Sequence, residues 1–344
     1  MRKGERLRTM RVLVTAVGGP TGLGIIKCLK SINDIYLIGT DISPYAAGRT
    51  FCDKFYTIPR VSDVESYVRE VKRIVLEEQV EVLFPTLHDE LLVYWTNSEH
   101  IPTHVALPIS DHREALVDKD KLYKHLEANR LEQYVPRYRV FQSGEELKAV
   151  IQQEFWKDEY VCVKRIRGHG GIGFVVLTSR ERYLEALEKG ERNVVNMSDF
   201  YEVPINTPHM VMEYLSGTEY SVDVLLYEGQ SVIAVPRKRN RVSNGIVIDG
   251  SVEPNDQLVV AASQIAQSVA RSGFINVQFI DSENGFKLTD INPRFCGSQV
   301  MSFGAGVNFP YLYIQYNVLK ERQQVQPRWH TRMVRYWESC FFYD

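Results

Sequence analysis

Residues 276–298 read NVQFIDSENGFKLTDINPRFCGS, and the reading of this stretch decides the fold. Apolar and polar residues alternate over 273–281 and 286–292, and Ser282-Glu283-Asn284-Gly285 between them has turn composition. The pattern predicts a two-stranded hairpin. Side chains alternate along a strand, so Asp290 and Asn292 share a face, with Gln278 close by on the paired strand. One carboxylate and two amides, followed by the guanidinium of Arg294, suit hard Mg²⁺ held against a polyphosphate. A polar hairpin that merely ends at Pro293 is the ordinary alternative. On this stretch alone the two weigh evenly.

Working outward, residues 167–173 (Arg-Gly-His-Gly-Gly-Ile-Gly) join a strand at 160–166 to another at 174–178. A flexible glycine loop between strands can close over phosphates, and Lys164 just before it can aim a cation at the same oxygens. Further on, Met212-Glu213-Tyr214-Leu215 reads as a strand edge able to meet a purine through main chain, with Glu219 a few residues later for ribose hydroxyls. A second glycine cluster, Gly18, Gly19, Gly22 and Gly24, sits where a strand passes into a helix, and Asp41 ends the next strand. That arrangement admits a dinucleotide site. Its spacing is not GxGxxG, however, and a tight turn with close helix packing is the stronger reading.

The 344 residues exceed one small core and imply two or three units. A formal net charge of −2, with 24% charged and 44% apolar residues, speaks for a soluble globular chain and against charge-driven nucleic-acid binding. No apolar run reaches membrane-spanning length. The first ten residues, MRKGERLRTM, lack the apolar centre of a signal peptide and read as a leader, with Met10 as an alternative start. Five scattered cysteines (Cys28, Cys52, Cys162, Cys296, Cys340), without a CxxC pair, argue for reduced thiols and a cytoplasmic location.

Strands at 12–16, 36–40 and 80–85 alternate with helical patterns, one carrying Val64, Val68, Val71 and Val75. This predicts a parallel, doubly wound α/β sheet. An α+β stretch follows, and from His209 several strands, a helix at 257–271 and a closing helix at 309–320. The expected division is a leader at 1–10, an N-terminal domain at 11–112, a central subdomain with the glycine lid at 113–208, and a C-terminal subdomain with the metal site at 209–344.

Taken in order, Asp118-Lys119, Val163-Lys164 with its glycine loop, Met212-Glu213-Tyr214-Leu215 with Glu219, Asn276-Val277-Gln278-Phe279 and Asp290-Ile291-Asn292-Pro293-Arg294 resemble the ATP-grasp superfamily. The likeness is nearest to the carbamoyl-phosphate-synthase large-subunit type and spans about residues 10–325. It implies an ATP-grasp fold of α/β and α+β parts behind an N-terminal Rossmann-like (pre-ATP-grasp) parallel sheet domain. It also implies a ligase that activates a carboxylate as an acyl phosphate for attack by an amine, with ATP and Mg²⁺ (or Mn²⁺) as cofactors. Lys119 and Lys164 would touch the phosphates beneath Gly168, Gly170, Gly171 and Gly173. Glu213 and Leu215 would meet adenine, Glu219 the ribose, and Gln278, Asp290 and Asn292 the metal, with Arg294 on the γ-phosphate. Lys164 and Arg294 would be the catalytic pair.

Two positions depart from the family pattern: Arg165 stands where proline is frequent, and Asp290 where glutamate is more usual. The chain holds a single ATP-grasp unit, against two in the carbamoyl-phosphate-synthase large subunit. Thr86, Asp89 and Glu90, at the carboxyl end of a strand, and Arg237 and Arg239, in a basic cluster with Lys238 and Arg241 expected on a loop, are the candidates for substrate contact. The expected partners are small-molecule carboxylates and amines, amino acids among them, with no nucleic acid and no membrane; a homodimer is the expected assembly. Two rivals stand beside the ligase: an NAD-dependent oxidoreductase using Gly18 to Gly24 with Asp41, and a non-catalytic ATP-binding protein.

Overall fold

The computed structural model describes residues 9–97, 100–168, 173–243 and 245–343. The chain divides into two compact units, each assembled from separated segments. The first takes the chain up to Asp111, Ser221–Val277 and the part from Ile291 onward; the second takes His112–Tyr220 and Gln278–Asp290. The expected domains follow consecutive stretches of chain, whereas the compact units do not.

In the first unit, β1 (Met10–Val14), β2 (Ile35–Asp41), β3 (Lys54–Thr57), β4 (Val82–Phe84) and β5 (His104–Val105) form a sheet in the order β3-β2-β1-β4-β5. All four pairings in this sheet are parallel, with Val14 opposite both Gly39 and Phe84. Apolar runs such as Val12-Leu13-Val14 are buried, as strands covered on both faces require. Met10, read as part of a leader, is the first residue of β1.

The helices α1 (Pro20–Leu29), α2 (Val64–Glu77) and α3 (His88–Asn97) connect these strands. Asp63 caps α2 by accepting from Ser66 N at 3.3 Å. The buried face of α2 carries Tyr67, Val71, Ile74 and Val75, while Val64 is exposed. The core of this unit joins Val12, Ile25, Leu37 and Phe84 to Phe274, Phe295, Phe309 and Tyr313. Phe295 stacks on Phe274 with ring centroids 4.4 Å apart.

The second unit is built from α4 (Lys119–Ala128), β6 (Tyr138–Phe141), α5 (Gly144–Glu154), β7 (Tyr160–Arg165), β8 (Val175–Thr178), α6 (Arg180–Glu188), β9 (Val194–Asn196), α7 (Met197–Phe200) and β10 (His209–Glu213). Its sheet runs β6-β10-β7-β8-β9, and Phe141, Leu147, Ile151, Val161, Val163 and Val211 form its core. Ser143 and Glu146 cap α5 reciprocally: Glu146 N donates to Ser143 Oγ, and Gln142 N to the Glu146 carboxylate.

The remaining strands, β11 (Thr218–Tyr227), β12 (Gln230–Ser243), β13 (Ile246–Val252), β14 (Gly273–Ser282), β15 (Gly285–Asn292) and β16 (Arg332–Val334), form a sheet in the order β15-β14-β11-β12-β13-β16. The helix α8 (Asp256–Val269) precedes β14, and α9 (Val300–Gly304) and α10 (Phe309–Tyr313) follow β15, the last running on into a π-helical turn, Ile314–Leu319. The hairpin expected at 273–292 is thus present as β14 and β15, turning at Gly285 with φ +83°. Arg237, Lys238, Arg239 and Arg241 lie within β12, not on the loop expected for them. Among the described residues no helix is long and apolar enough to cross a membrane.

Candidate functional site

The second unit brings together four of the residues singled out above, and α4 sets the first. Asp118 is its N-cap, accepting from Lys121 N at 3.1 Å, which makes Lys119 the first helical residue. Lys119 N donates to Ile166 O at 2.9 Å, and its Nζ donates to Gly168 O at 3.2 Å. The same ammonium lies 3.3 Å from Asp290 Oδ1, with the two side chains 14% and 24% exposed. The start of the helix, the root of the glycine loop and the hairpin carboxylate therefore meet at one lysine.

Lys164 on β7 is buried. Its Nζ donates to Thr289 O at 2.8 Å and to Tyr123 Oη at 3.4 Å, and lies 5.8 Å from the Tyr123 ring centre. Burial, then the neighbouring Lys119, pushes its pKa from 10.5 down to about 8, against a smaller pull upward from Asp290. Tyr123 Oη donates in turn to Leu288 O at 3.2 Å. Tyr123 and Thr289 are residues of the site that motif reading missed. Tyr123 had a signal: it follows Lys119 by four positions and so shares its helix face.

Gly168 and Gly173, the ends of the loop, have φ of +139° and +76°, a conformation that favours glycine. Gly170 and Gly171, read as lid residues, lie outside the described residues. Arg167 anchors the loop root by donating from Nε to Asp118 Oδ2 at 2.9 Å. At the end of β10, Glu213 exchanges two bonds with Arg137: Glu213 N donates to its carbonyl at 3.0 Å, and Glu213 Oε1 accepts from its N–H at 2.9 Å. Leu215 is half-buried just past the strand, and Glu219 is exposed on β11. Gln278, half-buried, belongs with Asp290 to the second unit, and its carbonyl accepts from Thr289 Oγ1 at 3.2 Å.

Asn292 and Arg294 belong to the first unit. Asn292 is buried, and Arg294 Nη1 donates to Phe295 O at 3.0 Å. Of the candidate metal donors, Gln278 and Asp290 thus share the second unit, and Asp290 is the one carboxylate. Among the described residues no three His, Cys, Asp or Glu side chains cluster as a metal cage. One carboxylate with amide donors suits a cation that keeps phosphate oxygens or water in its shell.

Several substrate candidates are occupied structurally. Arg237 is fully buried: Nη2 donates to Asp223 Oδ1 at 2.7 Å and Nη1 to Ser298 O at 2.9 Å. Asn276 and Ser302 complete the hydrogen bonding of Asp223. Of the expected basic cluster, Arg237 is thereby ruled out as a substrate contact, because a guanidinium sealed in the core reaches no free ligand, while Arg241 stays exposed. Arg239 is half-buried on the same strand.

Glu90 is buried as well, accepting from Thr15 Oγ1 and from the backbone of Thr86 and Leu87, each at 2.8 Å. Thr86 Oγ1 donates to Thr15 O at 2.9 Å, so only Asp89 of this trio is exposed. Asp41 accepts from Gly18 N at 2.8 Å and Ser43 N at 3.0 Å. A Cβ at Gly22 would stand 2.7 Å from Ala16 O. These contacts favour the packing role for this glycine turn.

Residues 206–340 match the family model described as ATP-grasp in the biosynthetic pathway with Ter operon, and residues 12–105 match the PylC-like N-terminal domain. Among solved structures, the biotin carboxylase domain of Hydrogenobacter thermophilus 2-oxoglutarate carboxylase is 15% identical, with 95% of this chain and 73% of that one covered at a TM-score of 0.68. N5-carboxyaminoimidazole synthetase from Staphylococcus aureus, complexed with ADP, is 14% identical over 90% and 79% of the two chains, with a TM-score of 0.66. The L-amino acid ligase from Bacillus licheniformis is 14% identical over 93% and 78%, with a TM-score of 0.65. At these identities the likeness speaks for the fold, and it agrees with the family models and with the two lysines, carboxylate and hairpin assembled above. Residues 206–340 thus match an ATP-grasp family model, and the fold of the chain is that of ATP-grasp enzymes.

Proposed function

We propose that this protein is an ATP- and Mg²⁺-dependent ligase that activates a carboxylate as an acyl phosphate and joins it to an amine, releasing ADP and phosphate. The observation that carries this reading is the meeting of Lys119, Lys164 and Asp290 around the end of β15. Two ammonium groups beside a single carboxylate make a site for a polyanion accompanied by a cation. In this reading Lys119 and Lys164 bind the phosphates, and the 168–173 loop covers them. Main chain at Glu213 and Leu215 meets adenine, and Glu219 meets the ribose. Gln278, Asp290 and Asn292 hold the metal, which when bound neutralises charge on the transferred phosphoryl group. Arg294 steadies the γ-phosphate. Phosphoryl transfer asks these residues for position and charge rather than for a protein nucleophile.

The carboxylate oxygen attacks the γ-phosphorus and ADP leaves; the amine then attacks the acyl carbon and phosphate leaves. Similarity to an L-amino acid ligase supports amino acids among the substrates, and similarity to a synthetase complexed with ADP supports ADP as the nucleotide product. A carbamoyl-phosphate-synthase-like arrangement, a cytoplasmic location and a homodimer belong to the same reading, as do Asp89 and Arg239 as substrate contacts.

The test is a screen of paired carboxylates and amines, amino acids included, for ADP release. Turnover with a matching pair is expected to give ADP and phosphate, and formation of AMP and pyrophosphate would overturn the reading. Replacing Asp290 with Ala should lower turnover by about two orders of magnitude or more, since it removes the only carboxylate assigned to the metal. A fully active Asp290→Ala enzyme would refute the metal assignment.

A further inference from the structure

Lys119 points to a further property of this site, which rests on the ligase reading for its metal ligands. We propose that Lys119 serves as the resident cation of Asp290 in the nucleotide-free protein. The site then excludes free divalent metal and admits it only together with the nucleotide.

Position comes first. Lys119 Nζ stands 3.3 Å from Asp290 Oδ1, where a bound cation would also have to approach that oxygen. The ammonium is not a mobile surface charge. Its backbone is fixed at the first position of α4, and its Nζ is held from a second side by Gly168 O at 3.2 Å. Both partners are largely shielded from water, so the attraction exceeds that of an exposed pair.

Charge balance points the same way. Lys164 donates to Thr289 O, the residue before Asp290, so two ammonium groups attend one carboxylate. Among the described residues no group of three His, Cys, Asp or Glu side chains offers a ready-made metal cage. A dication arriving alone meets net positive charge and a carboxylate already paired. A nucleotide triphosphate reverses this by bringing several negative charges, which draw the ammoniums and supply oxygen ligands for the metal. Metal and nucleotide therefore bind with positive coupling, and by linkage each must tighten the other equally.

The experiment measures Mn²⁺, as a paramagnetic stand-in for Mg²⁺, by electron paramagnetic resonance on the full chain, with and without ADP. Wild type is expected to show no saturable Mn²⁺ binding below about 1 mM alone, and clear binding with ADP present. Lys119→Met should raise affinity for free Mn²⁺ by about tenfold or more, and adding Asp290→Asn to that variant should abolish the gain. Lys119→Arg, which keeps the charge, should still exclude the free ion and controls for damage to the fold. Tight Mn²⁺ binding by nucleotide-free wild type, or unchanged affinity in a folded Lys119→Met protein, overturns the proposal. The readout needs no turnover. Should every carboxylate and amine pair fail to release ADP while Lys119→Met gains Mn²⁺, the ligase reading falls and the exclusion stands.

Discussion

Lys164 is the residue where burial and function pull against each other. Its pKa of about 8 lies below the ordinary lysine value of 10.5, so the unfolded chain holds this proton more readily than the folded one. The destabilisation is therefore present in full below about pH 8 and is relieved as pH rises toward 10.5; it amounts to about 3 kcal/mol. Lys164→Met is accordingly expected to raise the Tm of the nucleotide-free protein near neutral pH, while weakening ATP binding by about tenfold or more. In wild type, ATP affinity should fall as pH rises through 8, because the neutral amine no longer attracts phosphate. Calorimetry near pH 8.5 in two buffers of different ionisation enthalpy should show proton uptake on binding, absent in Lys164→Met. A wild-type affinity that stays flat between about pH 7 and 9.5 would contradict this account.

At the scale of elements, β12 shows how a charged segment becomes core. Arg237 is sealed on the strand, and Asp223, its partner on β11, also accepts from Asn276 on β14 and Ser302 on α9. Arg237 in turn holds Ser298 O, in the turn that follows Arg294. Removing one member strands the other in a dry interior, so Arg237→Met is expected to cost about 3–5 kcal/mol in urea unfolding. The double variant Asp223→Leu with Arg237→Met should cost less than the sum of the two single changes. Strict additivity would show that the pair is not coupled.

Local sequence concealed this. The charge-rich stretch around Pro236 reads as a solvated loop, and the carboxylate that buries Arg237 lies on another strand. The β14–β15 hairpin was legible by contrast, because period-two alternation and the turn composition at 282–285 are both local signals.

Over the whole molecule, the compact units cut across chain order. The second unit takes the hairpin tip Gln278–Asp290 together with His112–Tyr220. Hydrogen exchange provides a test of the nucleotide site at this scale. MgADP should slow exchange at the start of α4, in β7 and in Gln278–Asp290, segments distant in sequence, while leaving the β1–β5 sheet unchanged. Protection concentrated instead at residues 18–24 would favour the glycine turn as the nucleotide site.

Sequence alone carried the resemblance to ATP-grasp enzymes and the strand and helix alternation of the N-terminal sheet, and it named candidate lysines, metal donors and an arginine, because these rest on local periodicity and on motifs in fixed order. Tertiary structure decided which charges are available. It pairs Lys119 with Asp290 and lowers the pKa of Lys164, and it sets Tyr123 beside that lysine. It withdraws Arg237 and Glu90 into the interior. The physical reason is that burial and pairing depend on residues far apart in the chain. Lys119 and Asp290 are separated by 171 positions, and no local pattern records that they meet.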